Sequence, residues 1–571
     1  MKMTTRLKNE NGAAIIIALF FMVILYGLSG IFLLRVINEA KMARVERESA
    51  KAFYSAQGAA QTAVDQLDVL INTDLKNTIS SANPNGVISY TSSEVNSGDG
   101  IGWLIYAVRD GNGGALLAQD GDEASYSGSG TLGEGAYQYN IVITEKGDPE
   151  DAGVDAWDFP YSYTIEAGST TNGVTSQVSL NGDFTIRVQR DNFAKFALFT
   201  NYQTTESGQN VWFTDKTNFA GPVHTNGRFN FAFNPSGTFE QSVTQEDQYA
   251  RFYNYGWTVL LDDDHNGTRD VPVFHGDFQR NADPVVLDSS VEEGDMADQA
   301  TGGQNFGSNG IYVPNDGSNV EGGIYIKGDS DSITMSVSNG KPVYTIAQGS
   351  TTKIVTIDQT ANQTKVEDVS TGVIDTYNGV PDGVDNVGPL IFVDGSINSL
   401  SGTVQADTQV TVASKNDIVI SNNIMYENYT PAVGSPGDAG YVPPSAEGAT
   451  NLLGIVTWEG DVRIGTSAPD DVQVQGTILA SSGVFQVDDY GNIGAGPRGT
   501  ATLLGGVISN NYGAFGLFSG STGNQLSGYG RNFVYDERMA NGESPPYFPT
   551  LNTFIAFTND ITDKTVWREG E

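Results

Sequence analysis

The chain of 571 residues contains no cysteine, which excludes a disulfide framework, a thiolate nucleophile and a metal site with thiolate ligands. Its formal net charge is −38, and an acidic surface of this kind repels nucleic acid, so no nucleic-acid partner is expected. The 68 glycines and the low charged fraction of 17% indicate β structure with many turns, and 39% hydrophobic residues are enough to form cores.

The first predicted element is an apolar segment near the N-terminus, Ala13 to Leu34, which contains 22 residues without a charge. A segment of this length can cross a hydrocarbon core of roughly 30 Å. It is longer than the apolar region of a secretory signal peptide, and no small-x-small cleavage motif follows it. Lys2, Arg6 and Lys8 precede it and favour a cytoplasmic N-terminus. The segment is therefore typical of a single-pass membrane helix.

The second predicted element, Arg35 to Leu70, has no proline and one glycine, and it is rich in strong helix formers. Its apolar residues recur every three or four positions, which predicts an amphipathic helix that continues the apolar one. An unbroken helix over residues 13–70 would extend about 87 Å at 1.5 Å per residue. A simple membrane anchor does not need a helix of this length.

The junction between Gly12 and Ala13 resembles the leader of type IV prepilins, in which a short basic leader ends in glycine before an apolar segment. The later stretch AKAFYSAQGAAQTAV, residues 50–64, is similar to the aromatic-Ala-Glu-Ala-Gly pattern of PilX-like minor pilins. Gln57 stands where those proteins usually carry Glu. The resemblance covers roughly residues 1–70.

This resemblance implies that a prepilin peptidase cuts after Gly12, so that residues 1–12 are a leader and the helix over residues 13–70 is retained. It implies methylation and a single-pass location in the inner membrane with a cytoplasmic N-terminus, followed by a place in a periplasmic or extracellular filament. The implied partners are other pilins or pseudopilins, which contact the N-terminal helix.

One position departs from the pattern of major pilins, which carry Glu at the fifth residue of the mature chain. That glutamate pairs with the freed N-terminal amine of a neighbouring subunit in the apolar filament core. The fifth residue after Gly12 is Ile17. A subunit without this carboxylate cannot neutralise the amine of a neighbour, and a buried unpaired amine is costly. Ile17 therefore favours a place where no neighbour needs the carboxylate, such as the filament tip; a tethered protein that never polymerises is the other interpretation.

The rest of the sequence alternates apolar and polar residues between Gly, Asn and Asp clusters, which predicts short strands. We expect a β-rich domain over residues 71–190, a β-rich domain with an acidic loop over 191–387, a β-helix-like domain over 388–533, and a tail over 534–571 that packs on the body. Strand-like pieces lie 8 residues apart in the third of these regions, but no strict repeat is visible. The predicted fold class is α+β, mostly β: a long pilin-like helix followed by β-rich domains, the last an irregular β-helix or solenoid.

Several segments of the body, GPVHTNGRF, GGIYIKGDS and FVDGSINSLSGTV, resemble a bacterial domain family of unknown function that is found behind PilX-like N-termini. This resemblance spans roughly residues 190–510 and implies no chemistry. The tail VYDERMANGESPPYFP resembles an ending of the same proteins. We interpret it as a covering loop in which Asp536 and Arg538 pair.

The segment DDDHNGTRD is the sharpest candidate for a metal site. Alternating oxygen ligands around a tight turn suit Ca²⁺, and Gly267 stands where the turn must be sharp. The twelfth position is Val273 and the flanks read as strands, so the segment is not an EF-hand. An acidic hairpin turn is the competing interpretation. The predicted ligands are Asp262, Asp264, Asn266, Thr268 and Asp270.

The sequence shows no nucleophile, zinc or phosphate-binding motif, so we expect a protein that is not an enzyme. His224, in GPVHTNG, is interpreted as a structural turn residue. The predicted function is a minor pilin-like subunit of a type IV pilus or related filament, which primes assembly or forms the tip and presents an adhesive body to a surface or glycan ligand. The alternatives are the large pseudopilin of a type II secretion system, a membrane-stalked surface adhesin, and a polysaccharide-acting β-helix enzyme.

Overall fold

The computed structural model describes residues 10–71, 123–146, 150–153, 156–214, 217–232, 237–254, 257–262, 271–287, 289–382, 388–436, 439–519, 524–558 and 568–569. A long N-terminal helix is followed by mostly β structure in several sheets, which confirms the predicted fold class. The helix, α1, spans Glu10–Val69 without interruption, and its 60 residues extend about 90 Å at 1.5 Å per residue.

The first sheet is an antiparallel meander on which the C-terminal half of α1 lies. Its strands follow one another in the order β1, β2, β4 and β5, and β3 pairs with β4 at one end. Alanines 56, 59, 60 and 63 of α1 are fully buried against the apolar face of this sheet. Because alanine has a small side chain, the helix backbone approaches the strands closely. The strands are β1 Glu123–Leu132, β2 Gly135–Glu145, β3 Glu150–Gly153, β4 Ala156–Thr171 and β5 Val174–Asn192.

The next nine strands wind residues 198–279 into short parallel coils with three sides. Strands β6, β7, β10 and β14 form one side, β8 and β11 the second, and β9 and β13 the third. Strand β12 closes the second side as an antiparallel partner of β11. The strands are β6 Leu198–Tyr202, β7 Val223–Thr225, β8 Asn230–Phe231, β9 Thr238–Phe239, β10 Val243–Gln245, β11 Ala250–Asn254, β12 Trp257–Leu261, β13 Val273–Phe274 and β14 Phe278–Gln279.

Phenylalanine fills the interior of these coils. Phe252 is paired in register with Phe231 of the coil below, and their ring centroids are 5.3 Å apart. On the next side Phe274 is paired with Phe239, at 5.4 Å. Such ring pairs add about 0.5–1.5 kcal/mol each to the burial of their area. Stacked aromatic rings therefore hold coils whose strands are only two to five residues long.

A second run of coils follows helix α2, Ser289–Thr301, which packs on β16 and β22. Successive strands alternate between two parallel sheets: β22 lies in the first, β23 in the second, β24 in the first and β25 in the second. This alternation is the arrangement of an irregular β-solenoid. Strands β18 to β21 extend the second sheet as antiparallel hairpins.

The strands of this second run are β15 Gly310–Tyr312, β16 Ile324–Lys327, β17 Ser332–Ser338, β18 Lys341–Gln348, β19 Thr351–Asp358, β20 Gln363–Asp368, β21 Val373–Asn378, β22 Leu390–Asp394, β23 Ile397–Val404, β24 Gln409–Ser414, β25 Ile418–Tyr426, β26 Leu452–Thr457, β27 Val462–Ile464, β28 Gln473–Gln475, β29 Thr477–Ala480, β30 Phe485–Val487, β31 Pro497–Leu504, β32 Val507–Asn511, β33 Gly516–Phe518 and β34 Gln525–Val534.

The two runs of coils share one continuous sheet. Strand β6, at the start of the first run, pairs in parallel with β32, near the end of the second, and Leu198 is opposite Val507. The chain therefore enters the stack at its middle, and an 11-stranded sheet passes through both runs. The parallel pairing of β16 with β22 also continues this sheet across the boundary that we predicted between residues 387 and 388.

Aspartates at one corner of the second run tie each coil to the next. Oδ1 of Asp329 accepts a 2.8 Å hydrogen bond from the backbone N–H of Ser396. Oδ1 of Asp417 accepts one of 2.9 Å from the N–H of Asp461, whose own Oδ1 accepts one of 3.0 Å from Val484. These side chains pair backbone donors at the corners, where the ladders are interrupted, so the donors are not left unsatisfied.

The C-terminal segment returns to the meander. Strands β35, Thr550–Thr558, and β36, Arg568–Glu569, both pair antiparallel with β5. Before them, Asp536 and Arg538 form a buried ion pair with Nη2–Oδ2 at 2.6 Å, as we expected from the sequence. Nη1 of Arg538 also donates to the carbonyl oxygens of Ala449 and Asn451. The segment thus fastens the solenoid to the meander.

Candidate functional site

The N-terminal half of α1 is the largest unpartnered apolar surface of the described residues. Side chains such as Ile17 (55% exposed) and Phe20 (66% exposed) project on all sides of the helix between residues 13 and 37. Ala13–Val69 is also the one helix, within the described part of the chain, that is long and apolar enough to cross a membrane. A helix that is apolar all round is stable only in lipid or among other apolar helices.

The free half of α1 ends just before Glu48, because residues 13–47 are exposed and Glu48 is the first buried residue after them. Oε2 of Glu48 accepts a 2.9 Å hydrogen bond from Nδ2 of Asn172, and the adjacent Lys51 donates to Glu134 at 2.7 Å. Asn172 (φ 47°) and Gly173 (φ 83°) form the tight turn between β4 and β5. Residues 10–47 therefore project from the body over roughly 57 Å.

The residues that we predicted at the leader junction lie on this free half. Gly12 and Ala13 are inside α1, which begins at Glu10, and Ile17 is four residues further along. The first charged side chains after the junction are Arg35 and Glu39, an exposed pair with Nε–Oε1 at 3.5 Å. Cleavage after Gly12 and the filament-core role of position 17 stay predictions.

The predicted calcium loop lies mostly outside the described residues. Asp262 is described and exposed, whereas Asp264, Asn266, Thr268 and Asp270 are not described. Within the described ranges, no group of three or more His, Cys, Asp or Glu residues is arranged to hold a metal ion. Calcium binding therefore stays a prediction.

His224 has the surroundings of a structural residue. Nδ1 is 2.7 Å from the hydroxyl of Thr244, and Nε2 is 2.8 Å from Oδ1 of Asn226. The ring is stacked on Phe199 with centroids 5.4 Å apart. Burial lowers the pKa of the imidazole, although the hydrogen bond to Asn226 opposes this effect. Both ring nitrogens have hydrogen-bonding partners. His224 is therefore better suited to link neighbouring coils than to act as a catalytic base.

Glu48 and Asn172 were not singled out by the sequence. The segment TTNG predicts only a turn, and Glu48 is one of several charged residues in the predicted amphipathic helix. The Asn-Gly pair does predict a tight hairpin. Nothing local indicates that this hairpin tip meets a helix residue 124 positions earlier.

The family described as "Domain of unknown function (DUF4900)" matches residues 158–247, from β4 to just beyond β10, and this region includes Asn172 and His224. Among solved structures, the competence-associated pilin ComZ from Thermus thermophilus is similar to the chain at 11% identity, with 92% of this chain and 97% of that chain covered and a TM-score of 0.29. No curated protein matches the chain.

Proposed function

We propose that this protein is a minor pilin-like subunit of a type IV pilus or a related filament, which primes assembly or forms the tip and presents a large β body. The supporting observation is the free half of α1, which is apolar, exposed on all sides and continuous with the half that is docked on the meander. In this proposal the helix stays in the inner membrane first and then packs among the helices of neighbouring subunits.

The continuity of α1 supports an assembly role rather than simple anchoring. The helix crosses from its free half to its docked half without a break, and the docked half is fixed by buried alanines and by the Glu48–Asn172 hydrogen bond. A tether needs no fixed direction relative to the body. A filament subunit does, because its helix must enter the core at a set angle while the body stays outside.

The proposed position at the filament tip is supported by Ile17 and by the size of the β body. Ile17 offers no carboxylate to a neighbouring N-terminal amine, and no charged residue occurs between Ala13 and Leu34. The body of roughly 500 residues exceeds the 100–200 residues of a typical domain and hangs from one helix. Bodies of this size would collide at the dense spacing of a filament shaft, so we propose about one copy per filament.

The β body is proposed to act by binding rather than by catalysis, with Ca²⁺ at the 262–270 loop as a structural ion. The large pseudopilin of a type II secretion system, the membrane-stalked adhesin and the polysaccharide-acting β-helix enzyme stay open as alternatives. Adjacent small prepilin genes and a pilus motor would favour the filament over the stalk.

Processing is the first test. We expect the exported protein to begin at Ala13 in cells that contain a prepilin peptidase, and we expect Gly12→Arg to block cleavage. Asn9→Arg adds the same charge outside the junction and is expected to be cleaved normally. N-terminal sequencing that finds Met1, or a start near Ile31, in the exported wild-type protein would contradict the proposal.

Position in the filament is the second test. Since the chain has no cysteine, Ile17→Cys introduces a single thiol at the free half of α1. We expect it to form a disulfide with a cysteine placed in the N-terminal helix of a partner pilin, whereas Lys365→Cys on the body is not expected to do so. Immunogold label along the whole shaft would contradict a tip position, and a helix that never cross-links to a pilin would favour the stalked adhesin.

A further inference from the structure

A small pocket of about 160 Å³ opens at a corner of the first run of coils. It lies between the end of β6, the loop that follows it, the turn before β8, and β11. The segment GPVHTNGRF supplies one wall through Gly227 and Arg228. No residue of this pocket belongs to the free half of α1 or to the calcium loop, so its role is separate from both.

Polar side chains line this pocket. Gln203 lines it and is 2% exposed; its Oε1 accepts from Thr200 at 3.0 Å, but its Nε2 has no partner among the described residues. The buried Nε of Arg228 is also without a partner there, although Nη2 of the same side chain pairs with Asp247 at 2.5 Å. Both nitrogens are buried from solvent, so the partly exposed side chains of Arg228 and Arg251 are the ones that an occupant of the pocket can reach.

The charge of the pocket favours an anion. Arg228 and Arg251 contribute two guanidinium groups, and Asp247 offsets one of them, which leaves one net positive charge. Arg251 uses Nη1 to bond Oδ1 of Asn230 at 3.2 Å, so its planar fork is held in place at the wall. A guanidinium fixed in this way matches the two oxygens of a carboxylate. On a chain of net charge −38, such a cationic spot is unusual.

The rim adds an aromatic surface. Tyr202 lines the pocket and its side chain is 58% exposed. An aromatic face beside a few fixed polar groups is typical of a small-molecule site, and it can pack against the apolar C–H face of a sugar ring.

The size of the pocket restricts the occupant to one small unit. A volume of 160 Å³ corresponds to about five water molecules at roughly 30 Å³ each. It is below the range of about 300–1,000 Å³ that encloses a drug-sized ligand. One carboxylate and the ring atoms beside it fit this space, while the remainder of a longer chain would pass over Tyr202.

We propose that this pocket binds the carboxylate of an acidic saccharide, with Arg228 and Arg251 beside the carboxylate and the sugar ring packed on Tyr202. This inference goes beyond the proposed function, since it holds whether or not the chain enters a filament. It assigns a class of ligand and a binding site to the body, and neither the processing test nor the cross-linking test depends on that site.

The test titrates the full chain, held in polyoxyethylene detergent micelles at low salt, with an oligogalacturonate in a calorimeter. Arg251→Gln is expected to weaken binding about tenfold or more, because a charged hydrogen-bonding partner is lost. Lys365→Gln removes the same charge from β20, outside the pocket, and is expected to bind like the wild type. A methyl-esterified oligogalacturonate, which lacks the charge, is expected to bind at least about tenfold more weakly.

A second variant separates a saccharide from a simple anion. Tyr202→Ala changes an exposed side chain and is expected to leave folding intact, to weaken oligogalacturonate binding roughly threefold to tenfold, and to leave the affinity for inorganic phosphate unchanged. Absence of oligogalacturonate binding, equal loss in Lys365→Gln, equal binding of the esterified probe, or a Tyr202→Ala variant with unchanged saccharide affinity would each overturn the proposal.

Discussion

Nδ2 of Asn172 donates a 2.9 Å hydrogen bond to Oε2 of Glu48, and so joins the tip of the β4–β5 hairpin to the point at which α1 leaves the meander. Glu48 is 5% exposed, whereas residues 13–47 before it are exposed. This single bond therefore marks the boundary between the free and the docked halves of α1. Together with the buried alanines of the docked half, it sets the direction in which the free half leaves the body.

Asn172→Asp is expected to loosen this boundary. Aspartate tolerates the positive φ of the turn, but it places a second carboxylate against Glu48, and like charges at this distance repel. We expect a local loss of about 1–3 kcal/mol, seen as faster hydrogen exchange of amides in residues 48–60. Asn172→Gly keeps the turn without adding charge and should have a smaller effect; equal exchange in wild type and Asn172→Asp would show that the bond does not hold the helix.

Arg538→Met is expected to destabilise the attachment of the C-terminal segment. It leaves Asp536, which is 2% exposed, buried without its guanidinium, and breaking a buried pair in this way costs about 3–5 kcal/mol. The double variant Asp536→Asn with Arg538→Met removes both charges and should recover part of the loss. Limited proteolysis within residues 534–549 measures it, and Lys365→Met, which breaks a surface pair, is the control. Cleavage no faster than in the control would contradict the expectation.

His224 predicts a dependence of stability on pH. Because burial lowers its pKa in the folded protein, the unfolded chain takes up a proton first as the pH falls below about 6.5, and folding loses stability from there downward. His224→Gln removes this contribution, so its thermal unfolding should change less than that of the wild type between pH 7 and pH 5. Parallel pH profiles for the two proteins would refute the assignment, since the acidic side chains are the same in both.

Calcium is expected to protect the 262–270 loop. If the loop binds Ca²⁺, removal of the ion leaves the carboxylates of Asp262, Asp264 and Asp270 close together without a cation, and they repel one another. A ligand bound only by the folded form stabilises that form, by about 2.7 kcal/mol at a hundredfold excess over Kd. We expect protease cleavage between Asn254 and Asp277 to slow with calcium and to speed up with chelator.

The calcium response should be lost in Asp264→Ala and kept in Asp375→Ala, which removes a carboxylate from β21. Equal cleavage with and without the ion, together with no calcium binding by calorimetry, would leave an acidic hairpin turn as the correct interpretation of this segment.

The helix was predictable because its information is local. Composition and a period near 3.6 placed it over residues 13–70, and the structure has it over Glu10–Val69. The exposed apolar surface on its free half was predictable from the same segment, because an uncharged run of 22 residues can be recognised without knowledge of tertiary contacts. The hairpin tip that holds its docked half was not predictable, because Glu48 and Asn172 are linked only by tertiary packing.

The short strands of the solenoid were predictable from the sequence, but the order in which these strands pair was not. The 8-residue spacing between Val410 and Ile418 reflects two strands, β24 and β25, that lie in different sheets of one coil. No strict repeat was visible because the insertions between coils vary, as between β25 and β26, where 25 residues intervene. The phenylalanine pairs, such as Phe231 with Phe252, and the unpartnered amide of Gln203 depend on which coil stacks on which, and local patterns carry no such information.

The pairing of β6 with β32 also sets an order of events during synthesis. A chain made from its N-terminus presents β6 first, and Val507, the partner of Leu198, follows only after about 300 further residues. Until then one edge of β6 has no strand beside it, and an open edge of this kind recruits other chains. Loop closure over such a distance is slow. The late arrival of β32 is therefore the step that covers this edge of β6, and a chain cut short before Val507 would keep an unpaired strand edge in the middle of its 11-stranded sheet.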